Sequence, residues 1–333
     1  MKIAVIGAGS YGTCLAKHLG NQGYDVSLWC RNPERAERIE KTRINEDYLP
    51  GFKLPACISV TASLEEAVKG RGMVIGVTPS QAAREVLGAA APFLEPSVLV
   101  VNASKGLEEN TYARIDQVYS DIFSDEIAHR AAFLSGPTFA KEVAAGMPSA
   151  MVVASREHES AVAVQEVFHN PLFRVYSSED YIGVQVGGAL KNIIAICAGL
   201  SDGLGFGQNA RAALITRGMA EISRMGVSMG ADPLTFLGLS GMGDLVLTCA
   251  GDLSRNRRVG LALAEGKTLE TIVSEMQMIA EGVKTARVAY EWTQSHDVYA
   301  PLTTLIYKVL YTGLDPREGI ADIMSRDQRP ERD

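Results

Sequence analysis

Residues 3–6 of the chain, Ile-Ala-Val-Ile, form an unbroken apolar run, and Gly7-Ala8-Gly9-Ser10-Tyr11-Gly12 follows directly. No other stretch narrows the available folds as much. A short apolar run of this kind fits a strand buried on both faces. Leu15, Ala16 and Leu19 then fall at helical spacing. Strand, glycine turn and helix, in that order, form a dinucleotide-binding arrangement. Gly7 makes the tight turn, Gly9 lets backbone approach a pyrophosphate, and Gly12 lets helix and strand pack closely. The start of the helix offers free N–H groups to the anion. A G-x-G-x-x-G alone is a weak signal, because glycine-rich turns are common. Its place between these two elements makes it a strong one.

The rest of the composition bounds what can surround that turn. A length of 333 residues predicts about two domains, at roughly 150 residues each. Apolar residues make up 47% and charged residues 21%, an ordinary globular balance. No run approaches the ~18 uninterrupted apolar residues of a membrane helix. The N-terminal apolar run is too short for a signal peptide and leads into the glycine turn, not a cleavage site. No membrane insertion is expected. The five cysteines, Cys14, Cys30, Cys57, Cys197 and Cys249, are scattered with no C-x-x-C. They point to a reducing, cytoplasmic compartment and away from a disulfide or zinc framework. The five histidines are equally scattered, so no metal site is expected. A net charge of −7 disfavours nucleic acid as a partner. It also requires that any anionic ligand meet a local concentration of positive charge.

Asp25 to Trp29 reads as the second strand, with Cys30, Arg31 and Asn32 after it. A site selective for NAD places an acidic residue near this point. Arg31 stands there instead and suits a 2′-phosphate, which favours NADPH without excluding NADH. The alternative is a solvated arginine before the Asn32-Pro33 turn. Tyr48 to Phe52 reads as a turn-rich connection, and Ser63 as the cap of a short helix. Met73 to Val77 reads as a strand ending at Thr78-Pro79-Ser80, Gln81 to Ala90 as a helix, and Val98 to Val101 as a strand. Lys105 follows that last strand, where ligands of open α/β sheets bind; the competing reading is an exposed loop lysine. Ala131 to Leu134 is a strand leading into Ser135-Gly136-Pro137-Thr138-Phe139-Ala140, with Pro137 suited to a helical first turn. Met151 to Ala154 and Phe173 to Tyr176 read as the last strands, at the sheet edge.

From about Ser177 helical patterns dominate. Glu179 to Leu200 carries a core face of Val186, Leu190, Ile193 and Cys197. Gly188, Lys191, Asn192, Ala195 and Gly199 share a second face. Small residues around a lysine and an asparagine fit a closely approaching ligand. They fit equally a helix–helix contact with Lys191 snorkelling to water. Gly203 to Gly207 is a glycine-rich loop, with Asn209 as candidate cap of a helix from Arg211 to Met225. Asp232-Pro233 opens another. Gly241-Met242-Gly243-Asp244 reads as a flexible turn presenting a carboxylate before a short helix that includes Thr248. Ser254-Arg255-Asn256-Arg257-Arg258 places three arginines at a helix start capped by Ser254. In an acidic chain with a nucleotide fold, a phosphate site is favoured over a solvated charged face. Glu281 follows Ile279-Ala280 at the start of another helix, and Pro301 and Pro316 open the last two.

Six segments, IAVIGAGSYGT, NASKGLE, LSGPTFAKEVA, ALKNIIAICAG, GLSGMGDLVLTC and SRNRRVG, resemble in order and spacing those of the bacterial NAD(P)-dependent glycerol-3-phosphate dehydrogenases. The resemblance covers almost the whole chain. It implies a Rossmann-type α/β domain over residues 1–178 and an all-α substrate domain over 179–333. It implies reversible reduction of dihydroxyacetone phosphate to sn-glycerol 3-phosphate for phospholipid synthesis. By motif match, Ser10, Tyr11, Arg31, Ala140, Ile279 and Glu281 contact cofactor. Lys105, Gly136, Thr138, Asp244, Ser254, Arg255 and Asn256 contact substrate, with Lys105 and Arg255 also near the cofactor. Lys191 is the proton donor and acceptor, with Lys105 and Asp244 as its catalytic partners, and Lys191, Asn192 and Thr248 also contact substrate.

A free lysine has a pKa near ~10.4, too high for efficient base work. Burial and the Lys105 cation are expected to lower that of Lys191, with Asp244 opposing the shift while orienting the amine. Rival readings are a ketopantoate reductase, a 3-hydroxyacid dehydrogenase, or a non-catalytic NADPH-sensing module. The first two take carboxylates and need no SRNRR site; the third needs no second-domain lysine. The apolar helical domain suggests a homodimer.

Overall fold

The computed structural model describes residues 1–276, 280–328, 330 and 331. Among the described residues there are ten strands: β1 Lys2–Ile6, β2 Asp25–Trp29, β3 Ile44–Asn45, β4 Leu49–Lys53, β5 Ile58–Thr61, β6 Met73–Gly76, β7 Leu99–Asn102, β8 Ala132–Ser135, β9 Ser149–Ser155 and β10 Phe173–Ser178. Among them run helices α1 Ser10–Asn21, α2 Pro33–Thr42, α3 Leu64–Val68, α4 Ala83–Ala90, α5 Ile115–Ile122, α6 Asp125–Arg130, α7 Ala140–Ala144 and α8 His158–Phe168. Beyond β10 come α9 Tyr181–Gly203, α10 Gly207–Ser228, α11 Asp244–Ala250, α12 Arg255–Ala264, α13 Leu269–Glu275, α14 Glu281–Ser295, α15 Pro301–Tyr311 and α16 Pro316–Met324.

Eight strands form one sheet in the order β10-β9-β8-β7-β6-β1-β2-β5. All neighbours are parallel except β8 and β9, where Leu134 lies opposite Val153 in an antiparallel pair. β1 pairs with β2 through Ile3–Val26 and Val5–Leu28, and with β6 through Ile3–Met73 and Val5–Ile75. The chain therefore grows outward from β1 to β2 and β5, then returns to the other side of β1. That reversal opens a crevice beyond the carboxyl ends of β1 and β6, where ligands of such sheets bind. The interior strands are apolar on both sides because helices cover both faces. Leu15 and Leu19 of α1 and Phe168 of α8 belong to the same buried cluster as Val5 and Leu28. Leu87 of α4 and Tyr119 of α5 pack with Ile6 and Val100 on the opposite face.

In the helical half α9 is the central rod. Asp180 caps it, accepting a hydrogen bond from the Gly183 N–H at 2.8 Å. Helices α10, α11, α12, α14 and α15 all contact it, and residues Val186 to Ser201 are buried throughout. By length and composition α9 is apolar enough to cross a bilayer, yet 89% of its most apolar window is buried inside the protein. Its hydropathy is that of a core helix. A Cβ at Gly199 would stand 1.9 Å from the Arg257 carbonyl oxygen, and one at Gly260 2.1 Å from that of Ile196. Glycine on each helix thus lets the α9 and α12 backbones touch.

Several local expectations are corrected. Residues 48–52 are not merely a turn: β3 and β4 form an antiparallel pair. The Ile58–Thr61 edge strand, too short to stand out by period, completes the sheet. Asn209 caps nothing, since α10 already starts at Gly207. Pro137 precedes α7 rather than lying in its first turn. Gly241-Met242-Gly243 is not a loose turn. Residues Leu239–Gly243 wind as a π-helical turn, closed by the Gly243 N–H donating to the Gly238 carbonyl at 3.1 Å.

Candidate active site

The carboxyl ends of β1, β6, β7 and β8 deliver Gly7–Gly12, Thr78–Ser80, Ser104–Gly106 and Gly136–Thr138 to one crevice. At Gly7 φ is +125°, and a Cβ would stand 2.6 Å from the Val77 carbonyl oxygen; at Gly12 it would stand 1.8 Å from that of Gly7. At Gly9 a Cβ would meet no heavy atom within 4 Å. The first and third glycines are therefore demanded by the protein itself, whereas the second borders open space. Ser10 and Tyr11, the first residues of α1, have N–H groups with no intrahelical acceptor. These features fit a dinucleotide pyrophosphate.

A second group lies at Glu281, the first residue of α14. Its Oε2 accepts from Ser80 Oγ at 3.2 Å. Gly106 has φ +149°, and a Cβ there would stand 2.3 Å from Ser80 Oγ and 3.5 Å from Glu281 Oε2. Burial pushes the Glu281 carboxyl up to about 6, against the Ser80 hydrogen bond and the Arg255 and Lys284 cations. Burial lowers the Arg255 pKa in turn, while Glu281 opposes that change; a guanidinium stays charged regardless. Ser80 was not anticipated from sequence. Its signal was its place after β6, at the same sheet end that singled out Lys105.

At the centre, one carboxylate joins two lysines. Asp244 Oδ2 accepts from Lys105 Nζ at 2.7 Å, and Asp244 Oδ1 accepts from Lys191 Nζ. Lys191 Nζ also donates to Thr248 Oγ1 at 3.0 Å, and that hydroxyl donates to the Asp244 carbonyl at 2.6 Å. The Lys191 side chain is 7% exposed and that of Asp244 2%, so Lys191 does not snorkel to water. Gly188 makes the approach possible, because a Cβ there would lie 2.8 Å from Ser135 Oγ and 3.7 Å from Lys105 Cγ. The small-residue face of α9 thus serves both readings at once. Around Lys191 it admits the β7 and β8 loops; at Gly199 it admits α12.

Two cations and one anion in a buried place do not all keep their charges. Burial lowers the Lys191 pKa to about 7, with the Lys105 cation adding to the effect and Asp244 opposing it. For Lys105, burial works downward but Asp244 and Tyr11 outweigh it, and the ammonium is held above its ordinary value. Burial alone would raise the Asp244 carboxyl; the two lysines overcome that and hold it below the ordinary aspartate range. Near neutrality Lys105 and Asp244 form a fixed ion pair, and Lys191 is the group that gains or loses a proton.

Asn192, one residue past Lys191, is tied to α12 and α14. Asn256 Nδ2 donates to Asn192 Oδ1 at 2.8 Å, and Asn256 Oδ1 accepts from the Gly282 N–H at 2.9 Å. Ser254 caps α12 as expected, its Oγ accepting from the Arg257 N–H at 3.2 Å. The N–H groups of Arg255 and Asn256, the first two residues of the helix, remain without an intrahelical acceptor. The triple-arginine expectation needs correction. Arg257 is held by Asp202 at 2.8 Å and Asp252 at 3.0 Å, and Arg258 is exposed. Of the three, Arg255 alone joins the Glu281 group.

Gly136 and Thr138 reach the cluster through short contacts. Lys105 Nζ is 3.5 Å from the Gly136 carbonyl oxygen, and Tyr11 Oη is 3.0 Å from Thr138 Oγ1. Ala140 opens α7 and packs against the core beneath α1. Arg31 stands apart from the lysine cluster, exposed just after β2. The nearby Arg35 is engaged by Asp47 at 2.7 Å. Ile279 lies outside the described residues. Among the described residues no group of three or more His, Cys, Asp or Glu is placed to hold a metal ion.

Comparison with known proteins bears on this arrangement. The family description NAD-dependent glycerol-3-phosphate dehydrogenase N-terminus matches residues 2–161, and the corresponding C-terminus description matches residues 180–321. A protein of Geobacter metallireducens named glycerol-3-phosphate dehydrogenase [NAD(P)+] is 52% identical over 331 residues, covering 99% of each chain. The crystal structure of a glycerol-3-phosphate dehydrogenase from Coxiella burnetii superposes with a TM-score of 0.93 at 35% identity, covering 98% of this chain and 99% of that one. A yeast glycerol-3-phosphate dehydrogenase structure gives a TM-score of 0.81 at 28% identity, covering 98% and 99%.

Proposed function

The chain belongs to the NAD-dependent glycerol-3-phosphate dehydrogenase family, and on that premise we propose how its residues carry out the reversible reduction of dihydroxyacetone phosphate to sn-glycerol 3-phosphate with NAD(P)H. The observation that carries the reading is Lys191, buried beside a permanent ion pair and poised to exchange a proton near neutrality. When bound, the nicotinamide supplies or accepts the hydride. The chain's own residues do the rest.

Gly7, Gly9 and Gly12 shape the pyrophosphate seat, Ser10 and Tyr11 offer α1 N–H groups, and Ala140, Lys105, Arg255 and Glu281 line the remainder of the cofactor site. Ile279 belongs to the same proposal. Arg31 faces the ribose end, which favours NADPH over NADH. Substrate phosphate is held by Arg255 and the free N–H groups at the start of α12, where the helix dipole also favours an anion. Ser254 sets that helix start, and Asn256 and Asn192 fix its distance from Lys191. Gly136, Thr138 and Lys105 flank the other side.

Reduction places negative charge on the carbonyl oxygen. Protonated Lys191 stabilises it and delivers the proton; neutral Lys191 removes the proton in the reverse direction. Asp244 and Thr248 hold the amine in place. Holding the phosphate fixes the carbonyl, so binding energy at α12 contributes to turnover. In this reading residues 1–178 hold the cofactor and 179–333 complete the substrate site. The same reading puts the enzyme in the cytoplasm, supplying glycerophospholipid synthesis. It pairs two copies as a homodimer, to which the exposed Leu234, Leu237 and Val246 lend support. The direct test follows NADPH absorbance with dihydroxyacetone phosphate and, separately, with a 2-keto acid. Oxidation with the phosphate alone is the expected result; oxidation with the keto acid alone, or with neither, overturns it.

A further inference from the structure

Tyr11 and Thr138 meet from distant parts of the chain, the first on the opening turn of α1 and the second on the loop after β8. Tyr11 Oη lies 3.0 Å from Thr138 Oγ1, and Thr138 Oγ1 lies 3.2 Å from the Gly136 carbonyl oxygen. A carbonyl only accepts, and a threonine hydroxyl has one proton. One assignment satisfies both contacts: Thr138 donates to Gly136, and Tyr11 donates to Thr138. The reverse assignment would leave the Gly136 contact without a proton. Burial raises the Tyr11 phenol above its ordinary value, although Lys105 and Thr138 oppose it. Tyr11 therefore keeps its proton at neutral pH and remains a donor.

With its proton spent and one lone pair filled, Thr138 has only a lone pair left for a ligand. A phosphate dianion, which brings acceptors only, is repelled there. A hydroxyl group, which brings a proton, is bound. At the start of α12 the contacts have the opposite sense, since Arg255 and the free N–H groups there are donors. A ligand with a phosphate at one end and a hydroxyl at the other is thereby given a direction.

We propose that Thr138, its lone pair aimed by Tyr11, accepts a hydrogen bond from the hydroxymethyl group of the substrate and so reads the end remote from the phosphate. Tyr11 is then a positioning residue for substrate choice as well as part of the cofactor turn. This deepens the function proposed above and rests on it.

The test compares kcat/KM for dihydroxyacetone phosphate with that for the analogue carrying methyl in place of hydroxymethyl. Wild type, Tyr11→Phe, Thr138→Val and the double variant are measured, with NADPH affinity followed by fluorescence titration. Wild type is expected to favour dihydroxyacetone phosphate by about 10–100-fold. Each single variant should lose roughly tenfold on that substrate and less than about twofold on the methyl analogue. The double variant should lose no more than the worse single one, and NADPH should titrate within about twofold of wild type throughout. Equal losses on both substrates, or undiminished preference in Tyr11→Phe, overturn the proposal. A wild-type enzyme that oxidises NADPH with neither compound overturns instead the function on which it rests.

Discussion

Replacing Lys105 by methionine should move the proton-transfer step along the pH axis. Lys105 and Lys191 bind opposite oxygens of the Asp244 carboxylate, which places the two ammonium nitrogens on the order of 5 Å apart. At an effective dielectric of about 20 their repulsion is roughly 3 kcal/mol, or some two pH units in the Lys191 pKa. Lys105 is 20% exposed on its side chain, so screening reduces this to about one unit or slightly more. Removing Lys105 also leaves Asp244 wholly to Lys191, which acts in the same direction. The Lys191 pKa, about 7 in the intact cluster, should therefore rise by ~1–2 pH units. The assay is kcat/KM against pH in both directions, which reports the free enzyme. Ketone reduction needs protonated Lys191 and should decline above about 7 in wild type; alcohol oxidation needs the neutral amine and should rise through the same pH. In Lys105→Met both inflections should move upward together, whatever the loss in amplitude. Inflections that stay in place, or move down, refute the electrostatic account of Lys191.

Three further outcomes follow from local geometry. Gly199→Ala puts a methyl 1.9 Å from the Arg257 carbonyl, and forcing α12 off α9 should cost on the order of 2–4 kcal/mol, read as a fall of several degrees in Tm. In Gly9→Ala the added Cβ meets no protein heavy atom within 4 Å, so Tm should stay within ~2 °C while NADPH affinity drops by at least about tenfold, since the methyl intrudes on the pyrophosphate seat. Arg31→Ala should cut the ratio of kcat/KM for NADPH over NADH by at least about tenfold; an unchanged ratio contradicts the role given to that arginine.

Much of this site could be read from sequence because the signals were local. Gly7, Gly9 and Gly12 stand between a strand and a helix whose periods are plain, and Ser254 caps its helix by a bond three residues long. The small residues sharing the helical face of Lys191 left a ligand and a helix contact equally open, and the resemblance to a known family, not the spacing, pointed to the lysine. What stayed hidden depended on partners far along the chain. Whether Arg257 is free for phosphate is decided by Asp202, more than fifty residues earlier. Whether Glu281 is solvated is decided by Ser80, on another sheet strand's loop. Asn209 looked like a cap because its residue type suits one, but the turn after Gly203 is shorter than composition implied and α10 begins at Gly207. The π-helical turn at Leu239–Gly243 rests on glycines that in sequence are indistinguishable from a flexible loop. It is that turn, packed with Gly241 against the Phe236 backbone, that delivers Asp244 to the lysines.

The central claim is that Lys191 carries the proton. It is tested most directly by single-turnover mixing of NADPH and dihydroxyacetone phosphate with Lys191→Ala, alongside an NADPH titration of the same protein. The account predicts a rate lower by about 10²–10⁴-fold with NADPH bound as tightly as in wild type. A rate within a few-fold of wild type, with cofactor binding intact, would contradict it.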